Sequence, residues 1–211
     1  MHALSRVALG MQLHVWSDVV CPWCYIGKRR LERALGAWDG EPVDVVWRPF
    51  QLDPSSPSDG MPTGEALAAK FGDADVAAQA MTRVTEVAAA EGLEYRMADS
   101  VRANTFDAHR LIAFAREQGI QDAVQERLFR AHFCEGAHIG DPEVLVKLAT
   151  DVGLEGAEDA LRAETLAERV RAELAEGMSI GVRSVPTFVV GRRGVAGAQD
   201  PEVILELLRS A

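Results

Sequence analysis

With three cysteines in 211 residues, the chain lacks the thiols for the disulfide framework that staples small extracellular domains. It also lacks a basic surplus. Its 22 lysines and arginines face 32 aspartates and glutamates, a formal charge of −10, which opposes nucleic acid or an anionic membrane as the main partner. No run of about twenty apolar residues is present, so no segment reads as a membrane span. A second CxxC or a close histidine pair, the usual completion of a zinc site, is missing too, and no metal is expected. Met1 to Gly10, with Arg6 in a weakly apolar stretch, is too short for a signal sequence with its cleavage site. It reads as a tail, Met11 being an alternative start, and a reducing cytoplasm is the expected compartment.

Apolar residues make up 48% of the chain, enough for a sizeable core. Met11 to Trp16 reads as a short buried strand, followed by a helix to about Leu35, before Gly36. Val43 to Phe50 alternates as a second strand. Strand, helix, strand is a crossover unit, which pairs its strands in parallel. Gln51 to Pro62, crowded with proline, serine and glycine, is a connecting loop. From Thr63 to about Gly181 alanine, leucine and glutamate recur at helical spacing. Breaks near Gly72, Gly92, Gly119, Gly136, Gly153 and Gly156 divide this block into five to seven helices. Thr187–Val190 and Gly194–Ala198 then read as strands joined by the turn Gly191-Arg192-Arg193-Gly194, and Pro201 opens a last helix through Leu208. The fold class is α/β: a mixed sheet built β-α-β then β-β-α, from residues 1–62 and 182–211, with an all-helical insertion at 63–181.

Chemistry concentrates in Asp18-Val19-Val20-Cys21-Pro22-Trp23-Cys24, where the first strand turns into its helix. Pro22 suits the first helical turn, which puts Cys21 at the N-cap. A thiolate there meets unsatisfied backbone N–H groups and the positive end of the helix dipole. Cys24, one turn later, can attack a mixed disulfide formed at Cys21. An exposed nucleophile with a resolving partner is the chemistry of thiol–disulfide exchange. Zinc binding and a structural disulfide are the competing readings; the first lacks ligands, and the second closes a loop too short to constrain the unfolded chain.

Several segments resemble the DsbA-like superfamily of thioredoxin folds with a helical insertion, and within it the FrnE-like branch, to which 2-hydroxychromene-2-carboxylate isomerase and kappa-class glutathione transferase are related. They are Asp18 to Arg30, Trp47 to Pro54, Ala103 to Leu111, Leu128 to Asp141 and Gly181 to Val190. The resemblance implies a protein disulfide oxidoreductase or isomerase with Cys21 and Cys24 catalytic. Pro22, Trp23, Val185, Pro186 and Asn104 would contact substrate. It implies a cis bond before Pro186, with the backbone of Val185 offered to an extended substrate; an ordinary proline opening a strand is the alternative. Asn104 reads equally as a helix N-cap. No cofactor is expected beyond glutathione as a substrate or reductant. The expected partners are thiol- or disulfide-containing proteins, or glutathione, and the chain a monomer or homodimer.

The isomerase and transferase relatives generally carry serine where this chain has Cys21, so both thiols favour disulfide exchange. A glutathione-dependent isomerase or transferase acting on an aromatic or polyketide-like molecule is the second reading, and it leaves Cys24 without a purpose. A redox-responsive or metal-binding interaction module is a third. Cys134 is expected to be a buried, inert helical thiol. His109, His132 and His138 are expected at helix surfaces or ends, Lys28 and Arg29 as solvated helix charges, and Trp23 partly exposed between the thiols.

Overall fold

The computed structural model describes residues 10–211, so all of the expected tail but Gly10 lies outside the described residues. Strand β1 (Met11–Ser17) leads through a four-residue turn into helix α1 (Pro22–Gly36), and β2 (Val43–Pro49) returns parallel to β1. The sheet closes with β3 (Thr187–Val190) and β4 (Arg193–Ala196), in the order β2-β1-β3-β4. β3 runs antiparallel to both β1 and β4. The turn joining β3 to β4 is shorter than expected, with only Gly191 and Arg192 between the strands, because Arg193 and Gly194 already pair with Val190 and Val189. Helix α9 (Pro201–Arg209) follows, opened by Pro201 in its first turn.

Between β2 and β3 the described chain is helical: α2 (Thr63–Phe71), α3 (Ala74–Ala90), a 3-10 turn (Met97–Asp99), α4 (Phe106–Glu117), α5 (Gln121–Glu135), α6 (Pro142–Asp151), α7 (Ala157–Arg162) and α8 (Glu164–Ser179). Each of the six glycines expected to break the block has positive φ, the region glycine enters without a Cβ clash. Gly36, with nothing forcing it out of helical geometry, is instead the last residue of α1. Asp73 and Asp141 cap α3 and α6, each accepting two backbone N–H groups.

Two apolar clusters hold these parts together. One joins Leu13 and Val15 of β1 and Phe188 of β3 to Leu31 of α1, Ile204 of α9 and Leu111 and Leu128 of the insertion. The other lies around the CxxC turn and gathers Ile26, Phe129, Phe133, Tyr95, Val182 and Val185. Burying each large apolar side chain contributes roughly 1.5–3 kcal/mol. The edge strand β2 is covered rather than bare: Gln121 of α5 accepts from the Trp47 N–H and donates to the Trp47 carbonyl, both at 3.0 Å. The insertion thereby sits against the sheet beside the loop that carries the thiols.

Candidate active site

Cys21 is the N-cap of α1, in extended geometry (φ −90°, ψ 110°), and its carbonyl accepts the Cys24 N–H at 2.9 Å. The bond fixes the two thiols one turn apart, and both are free. The Cys21 thiol points across the sheet at the loop before β3 and donates to the Val185 carbonyl at 3.7 Å. The Val185–Pro186 bond is cis. Gly27 lets this loop come close: a Cβ there would lie 2.8 Å from the Pro186 ring. Pro22 and Trp23 complete the turn, Trp23 standing 39% exposed.

Cys21 is not the exposed nucleophile expected. Only 4% of it is accessible, because Val185 and the aromatic cluster close over it. Cys24 is fully buried behind it. Burial first, then the hydrogen bond to Cys21, push the Cys24 thiol well above the ordinary value. The Asp18 N–H and the Ser17 hydroxyl oppose that shift by pointing donors at its sulfur. The pair is thus divided into a sulfur at a helix end and a protonated partner held in reserve.

One contact comes from the insertion and was not foreseen. The Tyr95 hydroxyl donates to the Pro22 carbonyl at 2.7 Å, and its ring stacks on Phe133 at 4.8 Å, with Tyr25 and Phe129 continuing the stack. Burial drives the Tyr95 phenol far above its usual range, so it stays a donor. Tyr25 and Tyr95 are the two tyrosines of the chain, yet a lone Tyr in a charged loop carries no periodic signal.

Other expectations need correction. Lys28 is 2% exposed, not solvated, because Glu32, Asp122 and Glu126 surround its ammonium at 2.5, 3.2 and 3.1 Å. Those carboxylates outweigh burial and raise its pKa. Arg29 pairs with Glu126 and lies over the Tyr25 ring at 4.9 Å. His109 and His132 are buried in the interior, whereas Cys134 is half-buried and not enclosed. Asn104 sits at the start of α4, where its amide is taken up by the protein. Its Oδ1 accepts the Phe106 N–H at 3.0 Å and Gln51 at 3.2 Å, and its Nδ2 donates to the Pro54 and Ser56 carbonyls. It pins the 51–58 loop to the insertion and does not adjoin the thiols in the contacts it makes.

No cluster of His, Cys, Asp or Glu suited to a metal ion occurs among the described residues. What the arrangement can do is thiol chemistry: a sulfur at a helix N-terminus, a second sulfur within its reach, and a backbone edge alongside.

Comparison with known proteins agrees with this geometry. Residues 12–209 match the DSBA-like thioredoxin domain. An uncharacterized protein of Bacillus subtilis (strain 168), YwbO, is 32% identical over 199 residues, covering 92% of this chain and 93% of that one. The crystal structure of a probable DsbA oxidoreductase from Streptomyces coelicolor superposes with a TM-score of 0.87 at 39% identity, over 95% of this chain and 89% of that one. The cytosolic disulfide reductase DsbM from Pseudomonas aeruginosa, solved also with GSH, shares the fold at 21% identity and a TM-score of 0.67, over 95% and 100% of the two chains. With its thiol pair at the first helix of a four-stranded mixed sheet and the match running almost end to end, the chain belongs to the DSBA-like thioredoxin domain family.

Proposed function

We propose that this chain is a cytoplasmic thiol–disulfide oxidoreductase of the FrnE-like branch, acting on disulfides of proteins or of glutathione. The observation that carries the reading is the seat of Cys21, with its sulfur at the start of α1, 3.7 Å from the Val185 carbonyl, and Cys24 buried behind it. The Cys21 thiolate attacks a substrate disulfide, forming a mixed disulfide and expelling the other substrate sulfur as thiolate. Cys24 gives up its proton and attacks the Cys21 sulfur. The Cys21–Cys24 disulfide forms, the second substrate thiolate leaves, and two electrons have passed to the substrate. A reduced thiol such as glutathione restores the dithiol by the same steps in reverse.

Val185 supports the substrate side. Its backbone flanks the reactive sulfur, and an extended peptide or glutathione pairing with that edge arrives with its own sulfur at Cys21. Trp23, exposed beside it, offers an apolar contact. The reductive direction and the compartment fit a chain with three cysteines and no disulfide framework, and they agree with the cytosolic disulfide reductase that shares its fold.

The Cys24→Ser variant tests the reading. Incubated with oxidised glutathione or a disulfide peptide, it is expected to accumulate a mixed disulfide at Cys21, visible by intact mass, while Cys21→Ser forms none and the wild type turns over. Full turnover by Cys24→Ser would overturn the proposal and favour the glutathione-dependent isomerase chemistry of the second reading.

A further inference from the structure

One polar contact at the redox turn has no part in the exchange chemistry, the bond from the Tyr95 hydroxyl to the Pro22 carbonyl at 2.7 Å. In an α-helix that carbonyl already receives the N–H four residues on, here Ile26, so the phenol is a second donor to an oxygen with two lone pairs. The fold holds this donor in place. Tyr95 is 8% exposed, and its ring lies on Phe133 at 4.8 Å and faces Tyr25 at 6.1 Å. Its loop is tied on both sides, by the Leu93 N–H on the Ala88 carbonyl at 2.9 Å and the Arg96 N–H on the Phe133 carbonyl at 2.6 Å. Burial keeps the phenol protonated, so the bond keeps one direction.

The oxygen that Tyr95 meets belongs to the peptide group whose other end is the Trp23 N–H. A side chain at an N-cap takes its hydrogen bond from the second or third helical N–H, which for Cys21 are those of Trp23 and Cys24. The Cys24 N–H is committed to the Cys21 carbonyl at 2.9 Å, whereas the Trp23 N–H makes no hydrogen bond among the described residues. In the dithiol the Cys21 S–H donates to the Val185 carbonyl, and its sulfur caps nothing. Once ionised, the sulfur has no proton to give and becomes an acceptor, and the Trp23 N–H is the uncommitted donor of the first turn. A hydrogen bond to a peptide oxygen draws charge toward that oxygen and makes the N–H of the same peptide a stronger donor.

We infer that Tyr95 is a positioning residue for the redox pair, which orients and polarises the Pro22–Trp23 peptide so that its N–H receives the Cys21 thiolate. Such a role rests on the exchange reading above, in which that thiolate attacks. A residue of the helical insertion thereby sets the redox balance of the two thiols. The thiolate exists only in the reduced protein, so whatever favours it favours the reduced form over the disulfide.

Tyr95→Phe tests the role, since it removes the hydroxyl and keeps the stacked ring. In graded glutathione buffers at pH 7 its Cys21–Cys24 equilibrium is expected to move about three- to tenfold toward the disulfide, the worth of one neutral hydrogen bond. The ultraviolet absorbance of the thiolate in the reduced variant should fall as well. A folded Tyr95→Phe with the equilibrium and absorbance of the wild type, or with an equilibrium moved toward the dithiol, would show that the bond only satisfies the phenol, and overturns the inference. A second measurement needs no variant. In nuclear magnetic resonance spectra of the reduced wild type, the Trp23 amide proton should move downfield in step with the ionisation of Cys21, followed by its absorbance. An amide proton that does not respond overturns the inference even if Tyr95→Phe does not fold. The absorbance and the amide shift require no disulfide substrate. Failure of Cys24→Ser to trap a mixed disulfide would therefore strike the exchange reading and leave the peptide's role standing.

Discussion

Buried ionisable side chains set the behaviour of this protein residue by residue, and His132 is the one whose consequence is measurable without a substrate. Its pKa is about 4 in the folded chain, against 6.5 for an ordinary histidine, because burial penalises the imidazolium more than the Asp18 charge favours it. The unfolded chain therefore binds a proton that the folded chain refuses between about pH 4 and pH 6.5. The stability from a neutral His132 is complete above pH 6.5, is lost as pH falls through that window, and levels off below pH 4. At 1.36 kcal/mol per pKa unit the loss is on the order of 3 kcal/mol. Denaturant midpoints at pH 7 and pH 4.5 should show it, and His132→Gln should flatten the difference; an equal slope in wild type and variant would contradict the assignment. None of this could be read from the amino-acid order. His132 sits four residues before Gly136 in a charged helix, a setting that suggests solvent, and only the packing of Phe129 and Phe133 beside it turns that helix face inward. Lys28 misleads for the same reason, since three carboxylates, two of them about a hundred residues away, gather around it.

Among the elements, α1 does most to shape the site, by holding Cys21 at its first turn and presenting Gly27 to the Pro186 loop. The sequence makes the first role legible, because a proline after a cysteine at a strand-to-helix junction specifies an N-cap. The second is hidden: a glycine inside a helix reads only as a weak point, and its use as a seat for another segment depends on tertiary approach. Gly27→Ala would set a methyl group 2.8 Å from the Pro186 ring and 3.4 Å from Phe188, so the loop carrying the Val185 carbonyl must shift. We predict a ten- to hundredfold loss in the rate of disulfide exchange, measured by stopped-flow tryptophan fluorescence, with far-ultraviolet circular dichroism unchanged. A wild-type rate would show that the approach of this loop does not govern the reaction. The helical block was legible through its glycines, each of which takes positive φ, whereas the tyrosine it sends to the Pro22 carbonyl was not. Helical periodicity gives the positions of turns, but a loop residue gains its role only from what the fold brings opposite it.

At the scale of the whole molecule, residues far apart in sequence meet around the turn that carries the thiols. Cys21 comes from the first junction, Val185 lies 164 residues later, and Tyr95 comes from the insertion between them. The two ends of the chain supply the four strands of the sheet, and the insertion covers its β2 edge and walls a cavity beside Asp18. The acidic balance of 32 carboxylates over 22 basic residues gives the molecule a field that attracts cationic partners at low salt. The central claim is that Cys21 and Cys24 act as one two-electron couple, and it is tested most directly by equilibrating the protein in graded glutathione redox buffers, alkylating free thiols and locating the labels by mass spectrometry. The account predicts that Cys21 and Cys24 lose their labels together in a single reversible step while Cys134 titrates independently. Labels lost from Cys21 alone, as glutathione adds to it without an internal bridge, would contradict it.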